Sequence, residues 1–268
     1  MTEPLKVTTV NLNGIRAAHK RGFLDWAEQE SPDILLMQEV RAPTEVTQDI
    51  LGGSYQVFSL PCQINGRAGV AVAVRPDIQV NDVVEGLPGD EAHAAHSGRW
   101  LEVDIDWNGT LKLVSAYFHS GALGTPKQDL KMEHLARIEK RMEELRLRGS
   151  SLVAGDFNVV RGESDIKNWK PNHNKSSGVL DEEIIYLNRW VESGWVDTVR
   201  HLAGDVQGPY SWWSWRGKAF DNNAGWRIDY QYATPDVAQR ALDYSVFRAS
   251  SWDERFSDHA PVTIRYAP

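Results

Sequence analysis

Short runs rich in Val, Ile and Leu alternate along the chain with longer segments of helical periodicity, and this alternation limits the fold more than any other feature. It is typical of an α/β fold, in which helices cover buried strands. Strands are predicted at Leu5 to Asn11, Ile34 to Gln38, Gly69 to Arg75, Leu111 to Phe118, Ser151 to Asp156, Trp226 to Ala233 and Pro261 to Tyr266. Trp100 to Asp106 alternates apolar and polar residues, so partly antiparallel sheets are expected.

Helices are predicted at Gly22 to Glu30, Lys127 to Arg148 and Glu182 to Glu192. In the second helix one stripe of residues recurs at helical spacing and is expected to face the interior. The stripe consists of Leu130, His134, Arg137, Ile138, Arg141, Met142 and Leu145. No internal repeat, low-complexity tract or linker interrupts the pattern, so residues 1–268 are interpreted as one domain.

The charge balance argues against one class of function. The chain has 37 acidic and 29 basic side chains, a formal net charge of -8, whereas proteins that coat nucleic acid nonspecifically depend on excess Lys and Arg. A DNA enzyme remains possible, because carboxylates gathered around a cation make the total acidic while local basic loops contact phosphates. A single cysteine, Cys62, and a sequence without a secretory signal or a long apolar span favour a cytoplasmic protein.

Polar side chains collect where the predicted strands end or begin. The segments are Asn11-Leu12-Asn13-Gly14, Gln38-Glu39, Tyr117-Phe118-His119-Ser120-Gly121, Gly155-Asp156-Phe157-Asn158 and Ser257-Asp258-His259-Ala260-Pro261. If the strands lie side by side, these tips meet at one rim, the usual place of ligand sites in α/β sheets. Each segment alone is explained by a turn or a helix cap, but their joint occurrence favours a site.

The donors in these segments are a Glu, two Asp, three Asn and a His. They suit a hard divalent cation such as Mg²⁺, with Mn²⁺ as a substitute. Zinc is disfavoured, because the sequence has neither an HExxH motif nor a Cys/His pair. His93 and His96 lie in an alanine-rich stretch and are expected to be solvated.

Five blocks resemble, in order, the signature segments of the exonuclease III family of abasic-site repair endonucleases. They are Asn11-Leu12-Asn13-Gly14-Ile15-Arg16, Leu36-Met37-Gln38-Glu39, Gly155-Asp156-Phe157-Asn158, Gly225-Trp226-Arg227-Ile228-Asp229-Tyr230 and Ser257-Asp258-His259-Ala260-Pro261. The resemblance implies a four-layer α/β sandwich, with two mixed sheets face to face and helices outside. It also implies a metal held chiefly by Glu39 with Asn11 and Asp258 nearby. Asp156 and Asn158 match positions sometimes counted as a second metal site, so one metal or two stays open.

Phosphodiester hydrolysis needs an in-line water, a group that takes its proton, and donors that stabilise charge on the phosphoryl oxygens. Asp156 is the candidate base and Asn158 the group that orients water or phosphate. His259, placed by Asp229, is expected to donate to a nonbridging oxygen, and Tyr117 is a further donor. Because crowded groups titrate together, the sequence leaves open whether Asp156 or His259 takes the proton.

The substrate contacts follow mainly from the resemblance. Trp212, Trp226 and Ile228 match positions that form the pocket for a flipped-out abasic sugar, and the alternative is that they are core residues. DNA contacts are also expected from Asn13 and from two basic segments, Arg16 to Arg21 and Lys167 to Lys175, which include Arg16 and Lys170; solvated surface is the alternative.

The chain departs from the family pattern at Phe118-His119-Ser120-Gly121, where Pro followed by Asn or Gln is more usual. Ser120 still offers a hydroxyl to phosphate, through a shorter arm. The balance between incision 5′ to abasic sites and 3′-5′ exonuclease activity therefore stays open.

The sequence thus predicts a Mg²⁺-dependent DNA repair phosphodiesterase, a monomer that acts on double-stranded DNA with abasic sites or 3′ ends and has no membrane partner. One alternative is a phosphodiesterase or phosphatase acting on lipid or small-molecule phosphates, because fold does not decide substrate. The other is a noncatalytic DNA-binding protein.

Overall fold

The computed structural model describes residues 3–89 and 97–268, so His93 and His96 lie outside the described residues. Strands β1 to β12 are Leu5–Asn11, Ile34–Gln38, Gln56–Leu60, Val70–Val74, Val80–Glu85, Trp100–Asp106, Thr110–Tyr117, Ser151–Asp156, Val196–Asp197, Asp229–Ala233, Ala241–Val246 and Val262–Tyr266. Helices α1 to α8 are Ile15–Lys20, Phe23–Glu30, Thr44–Leu51, Pro126–Arg148, Trp169–Asn172, Asp181–Glu192, Thr198–Ala203 and Pro235–Ala238. A 3₁₀ turn spans Glu163–Asp165.

Within the described residues the strands form two six-stranded sheets, in the orders β11-β12-β1-β2-β4-β3 and β5-β6-β7-β8-β10-β9. The pairs β1–β2 and β7–β8 are parallel, whereas the neighbouring pairs β1–β12, β2–β4, β6–β7 and β8–β10 are antiparallel. Both sheets are therefore mixed, as the alternating pattern of β6 predicted. The half exposure expected of that strand is wrong, because Glu102 is buried and bonds to Arg141 on the covering helix.

The main core lies between the two sheets. Val7, Ile34 and Val72 of the first sheet share one buried cluster with Leu113 and Leu152 of the second. Burial of each such side chain stabilises the fold by about 1.5–3 kcal/mol relative to its exposure. This shared core makes the two sheets face each other.

Helices cover the outer face of each sheet. Phe23 and Trp26 of α2 pack against Leu35 and Met37 of β2, in a cluster with Phe256. On the other side, Leu135 and Ile138 of α4 and Leu187 of α6 pack with Val114 and Val153. The predicted four-layer sandwich is confirmed.

The long helix α4 begins with Thr125, whose side chain accepts a hydrogen bond from the Lys127 amide, and with Pro126 in its first turn. The predicted stripe was partly wrong, because Leu130 is 41% exposed. The buried face instead contains Gln128, Lys131, Leu135, Ile138, Met142 and Leu145, which recur at spacings of three and four residues. A charged residue at position 131 concealed this face in the sequence.

Most predicted strands occur with the expected bounds or within one or two residues of them, and the exception is β10. It begins at Asp229 rather than Trp226, because Trp226 forms a separate bridge to Trp212. Crossing a bilayer takes about 20 consecutive apolar residues, and no helix in the described ranges meets this requirement.

Candidate active site

Four strand ends meet at one edge of the sandwich, as the sequence predicted. In the parallel pairs, Asn11 is level with Gln38 and Tyr117 is level with Asp156. Asp229, the first residue of antiparallel β10, lies opposite Asp156. Gly155 permits the close approach of β7 and β8, because a Cβ there would lie 1.8 Å from the Ala116 carbonyl oxygen, at a φ of +150°.

The side-chain amide of Asn11 joins two carboxylates. Its Nδ2 donates to Glu39 Oε1 at 2.9 Å and to Asp156 Oδ2 at 2.8 Å. The Asn11 side-chain oxygen accepts from the Asn13 amide at 2.9 Å, and the Asn11 carbonyl accepts from the Ser257 hydroxyl at 2.7 Å. Asn11 is wholly buried, so its orientation is fixed by these partners.

His259 lies between two buried aspartates. Its Nδ1 is 2.9 and 3.1 Å from the two oxygens of Asp229, and its Nε2 is 3.7 Å from Asp156 Oδ2. Asp229 is held in turn by the Ser211 hydroxyl at 2.6 Å. With a carboxylate facing each nitrogen, the imidazole is positioned to carry protons on both.

The electrostatics follow from this crowding. Burial lowers the pKa of His259, but Asp229 and Asp156 oppose that effect and raise it to about 10. Burial raises the pKa of Asp156 to about 7, since the attraction of His259 is offset by repulsion from Asp229 and Glu39. The raised pKa of His259 favours a protonated imidazole, and the pKa of about 7 at Asp156 allows that group to take up a proton near neutral pH.

Glu39 is the accessible carboxylate of the group. Its side chain is 12% exposed, its φ is +47°, and its second oxygen pairs with the Arg41 guanidinium. Glu39, Asp156 and His259 each offer one potential metal-ligating atom, and these atoms lie within 4.8 Å of one another. Because Asp229 engages Nδ1 of His259 and the neighbouring carboxylates raise the pKa of the imidazole, the carboxylates are the better ligands. Oxygen donors crowded in this way fit a hard divalent cation.

Asp258 lies beside this group without a described contact to Glu39. One of its oxygens accepts from Asn13 Nδ2 at 2.9 Å, and the other accepts from Trp212 Nε1 at 3.1 Å. Asp258 therefore links the metal-binding candidates to the tryptophans predicted to bind substrate.

Asn158 and Tyr117 complete the group. Asn158, at a φ of +51°, donates from Nδ2 to the Phe118 carbonyl at 3.0 Å and to Asp156 Oδ2 at 3.2 Å. Burial raises the pKa of Tyr117, and the carboxylates of Glu39 and Asp156 add to this effect, so its phenol stays a proton donor. The Arg99 guanidinium lies 4.5 Å from the centre of the Tyr117 ring.

Trp212, Trp226 and Ile228 form a wall beside the reaction centre. The two indole rings meet edge to face, with centroids 5.6 Å apart, and both stay partly exposed. Ile228 is 4% exposed. Gly178 leaves room for Trp226, because a Cβ there would lie 3.1 Å from its ring. The wall contrasts with Trp213, which is buried among Tyr210, Phe220 and Ala260.

The remaining predicted substrate contacts lie at the rim or farther away. Arg16 lines a cavity of about 550 Å³ together with Arg41. Ser120 is exposed, and its carbonyl accepts from the Ser177 hydroxyl at 2.7 Å. Lys170 is exposed on α5, and no described contact brings it to the site.

Lys131 supports the site, although the sequence reasoning missed it. Its side chain is fully buried against Glu183 at 2.8 Å. The same ammonium group donates to the Asn158 carbonyl at 2.9 Å and to the Ser120 carbonyl at 3.4 Å. Helical spacing between Gln128 and Leu135 was the available signal.

Arg227 is the second supporting residue that was missed. Arg227 lies between Trp226 and Ile228 in the sequence, and its side chain is buried. Its guanidinium forms two hydrogen bonds to each of two carboxylates. The distances are 2.8 and 3.0 Å to Asp165, and 2.9 and 2.8 Å to Asp197. These bonds fix the backbone that carries the tryptophan wall.

Comparison with known proteins identifies the group to which this arrangement belongs. The profile of the endonuclease/exonuclease/phosphatase family matches residues 8–259, nearly the whole chain. The chain belongs to this family. Two relatives in the endonuclease/exonuclease/phosphatase family are an exodeoxyribonuclease of Bacillus subtilis (strain 168) and a DNA-(apurinic or apyrimidinic site) endonuclease of Dictyostelium discoideum. The first is 31% identical over 261 residues, 97% of this chain and 98% of the relative. The second is 28% identical over 266 residues, 97% of this chain and 70% of the relative.

A solved structure of an AP endonuclease from Archaeoglobus fulgidus has the same fold, with a TM-score of 0.84 and 25% identity. The match covers 98% of this chain and 99% of that one. The exonuclease III resemblance inferred from the five sequence blocks is thereby confirmed.

Proposed function

We propose that this protein is a divalent-metal-dependent DNA repair nuclease that incises DNA 5′ to abasic sites and also removes nucleotides from 3′ ends. The observation that carries the proposal is the buried row of Asp229, His259 and Asp156, set beside Glu39 and bordered by the tryptophan wall. The names of the relatives, an exodeoxyribonuclease and an abasic-site endonuclease, support the same substrate class.

The row of three residues supports a division of roles. His259, with a carboxylate on each side, holds a proton on Nε2 that it can donate to a phosphoryl oxygen. An ionised Asp156 has no proton to donate and can only accept one. It is therefore the group that takes the proton from the attacking water. Asn158 and Tyr117 would donate hydrogen bonds to the water or the phosphate.

Glu39 would hold the metal, with Asn11 and Asp258 nearby and Asp156 and Asn158 available for a second ion. When bound, Mg²⁺ or Mn²⁺ would polarise a phosphate oxygen and stabilise the leaving 3′ oxygen. Arg41, paired with Glu39, would limit the excess negative charge that substrate phosphates meet there.

Trp212, Trp226 and Ile228 would select the abasic sugar. An apolar wall accepts a sugar without its base, whereas a full nucleotide needs more room and hydrogen-bonding partners. Asn13, Arg16 and Ser120 would contact the flanking phosphates, with Lys170 farther along the strand. The names of the relatives, an exodeoxyribonuclease and an abasic-site endonuclease, favour DNA over lipid or small-molecule phosphates as the main substrate.

We also infer that the protein acts as a monomer, as one domain and in the cytoplasm. The core shared between the sheets supports the single domain, since neither sheet buries its inner face alone.

The test uses a labelled duplex with one abasic site, incubated with purified protein in Mg²⁺ or in EDTA. An intact duplex with a recessed 3′ end is run in parallel. We expect cleavage 5′ to the abasic site with Mg²⁺ only, and slower shortening of the recessed end. If neither DNA is cut in Mg²⁺, the proposal is wrong and the lipid or small-molecule alternative takes its place.

A further inference from the structure

A second cavity adjoins the reaction centre on the side of Asn13. It measures about 400 Å³ and is lined by Arg21, Trp215, Trp252 and Phe256. Asn13 and Ser257 also line it, and each of them bonds to a residue of the site, Asp258 and Asn11 respectively. The cavity therefore adjoins the surface that DNA would occupy under the proposed function.

Its walls are aromatic and accessible. Trp252 is 43% exposed, and its ring meets Trp215 edge to face with centroids 5.4 Å apart. Within residues 3–89 and 97–268, neither indole N–H has a hydrogen-bond partner. Trp213, two residues before Trp215, is 2% exposed and donates to Asn223 at 3.0 Å, as a structural tryptophan does.

Cations surround these rings. The guanidinium of Arg255 lies 4.1 Å from the centre of the Trp215 ring, and that of Arg21 lies 5.1 Å from it. Arg255 donates to the carbonyls of Trp213 and Trp252. Arg21 is exposed and has no ion-pair partner in the described part of the chain. The cavity thus combines stacking surface with a free positive charge.

This combination matches one ligand chemistry. Proteins that hold unpaired DNA stack bases on aromatic side chains and attract the phosphates with Arg and Lys. A cavity of about 400 Å³ is large enough for a small ligand such as one nucleobase. A lipid would leave the arginines without a function beside an apolar chain.

We propose that this cavity binds one unpaired nucleobase of the DNA strand next to the reaction centre, stacked on Trp252 with its edge toward Trp215, and with the adjoining phosphate on Arg21. The inference rests on the proposed nuclease function and adds to it a preference for DNA that is frayed or single-stranded beside the lesion. Base stacking of this kind tolerates any sequence, because every base has an aromatic face.

The test measures binding in EDTA, so that no cleavage occurs. The probes are a single-stranded oligonucleotide with one abasic site and a duplex in which every remaining base of the same strand is paired. The base analogue 2-aminopurine replaces each of the three nucleotides on either side of the abasic site in turn, and its fluorescence changes when it stacks on indole. The variants are Trp252→Ala, Trp252→Phe and Arg21→Gln, with Leu147→Ala on α4 as an exposed apolar control.

We expect Trp252→Ala to weaken binding of the single strand by about tenfold and to abolish the 2-aminopurine response at one position, while duplex binding changes by less than about twofold. Trp252→Phe should retain most of the affinity, and Leu147→Ala should bind like wild type. Arg21→Gln should lower the slope of log K against log salt by about 0.7 for the single strand.

The proposal is overturned if Trp252→Ala binds the single strand as wild type does, or if both DNA forms lose affinity equally in a protein with a lowered Tm. Incision of the abasic duplex by wild-type protein with Mg²⁺ is measured alongside. If incision occurs but these binding effects are missing, the base-binding cavity fails alone. If incision is also missing, the proposed function fails as well.

Discussion

At the scale of single residues, the Asp229 carboxylate sets the protonation of His259. Its two oxygens face Nδ1, and this leaves Nε2 directed toward Asp156. An amide at position 229 can turn its NH₂ toward Nδ1 and stabilise the tautomer without a proton on that nitrogen. The hydrogen bond between residue 229 and His259 is then kept, but the imidazole is neutral.

Asp229→Asn is therefore expected to lower kcat on an abasic duplex by about 100-fold, with KM changed by less than about threefold. Steady-state kinetics on the labelled duplex with Mg²⁺ give both numbers. Asp243→Asn, which alters an exposed carboxylate paired with Arg265, is the matched control and should keep the wild-type rate. A wild-type kcat in Asp229→Asn would contradict the role given to His259.

The sequence predicted the clustering of Asn11, Glu39, Asp156 and His259, because each ends, follows or precedes a strand whose apolar pattern is strong. It did not reveal Lys131 or Arg227. A charged residue usually lies in solvent, and only its partner distinguishes the rare buried case. For Lys131 that partner is Glu183, 52 positions away in the numbering, so no local pattern could indicate the pair.

At the scale of elements, the Lys131–Glu183 pair joins α4 to α6 beneath the loops of the site. Glu183 also accepts from the Gly178 amide at 2.5 Å and from Gln128 Nε2 at 2.7 Å. Removal of one charge leaves the other buried without its main partner, which typically costs about 3–5 kcal/mol.

Lys131→Met should accordingly lower the free energy of unfolding by about 3–5 kcal/mol in urea denaturation. The double variant Lys131→Met/Glu183→Gln should recover at least about half of that loss, since no unpaired charge remains. Lys140→Met, at an exposed position of the same helix, should change stability by less than about 0.5 kcal/mol. Equal losses in the single and the double variant would show that packing, not charge, dominates.

The residues just before β10 are held by buried ion pairs of the same kind, between Arg227 and the carboxylates of Asp165 and Asp197. Burial raises the pKa of Asp165, but Arg227 and Arg200 outweigh it and lower the pKa below its usual range. The pKa of Asp165 in the folded protein thus lies below its value of about 3.9 in the unfolded chain. The ion pairs of Asp165 therefore stabilise the fold above about pH 3.9, and this stabilisation is lost as the pH falls through the pKa of the folded protein.

The free energy of unfolding should therefore fall less steeply below about pH 4 in Asp165→Asn than in wild type. Urea denaturation at intervals from about pH 6 to about pH 3 measures the two slopes. Parallel curves for the two proteins would assign the acid sensitivity to other carboxylates.

The strands that sequence reasoning missed are the four sheet edges, β3, β5, β9 and β11. Central strands such as β2 and β4 are wholly buried and consist almost entirely of apolar residues. The edge strand β5 has exposed Asn81 and Asp82 in its middle, and such polar residues suit an edge that must not pair with another chain. They also remove the apolar pattern by which strands are predicted.

At the scale of the whole molecule, the reaction centre spans the gap between the two sheets. Asn11 is the last residue of the first sheet's strand β1 and donates to Asp156 of the second sheet's strand β8. His259 precedes β12 of the first sheet and bonds to Asp229 of β10 in the second. A cation on Glu39 beside Asp156 would join the two sheets in the same way.

Mg²⁺ should therefore raise the Tm of the intact protein. At about 100 times its Kd the added stability is about 2.7 kcal/mol, or about 5–10 °C for a chain of this size. Thermal unfolding in Mg²⁺ and in EDTA measures the difference without any substrate. Glu39→Gln should abolish it, and a full Mg²⁺ effect in that variant would place the ion elsewhere.

The contacts between the two sheets also make nuclease activity depend on complete folding. A chain in which either sheet has formed but the two have not docked has Asp229 without His259 and Asp156 without Asn11. Such a chain has no complete set of reacting groups, so we expect it to leave DNA uncut until the two sheets have docked. The groups that would cut DNA are therefore brought together only in the fully folded protein, so folding itself controls the activity.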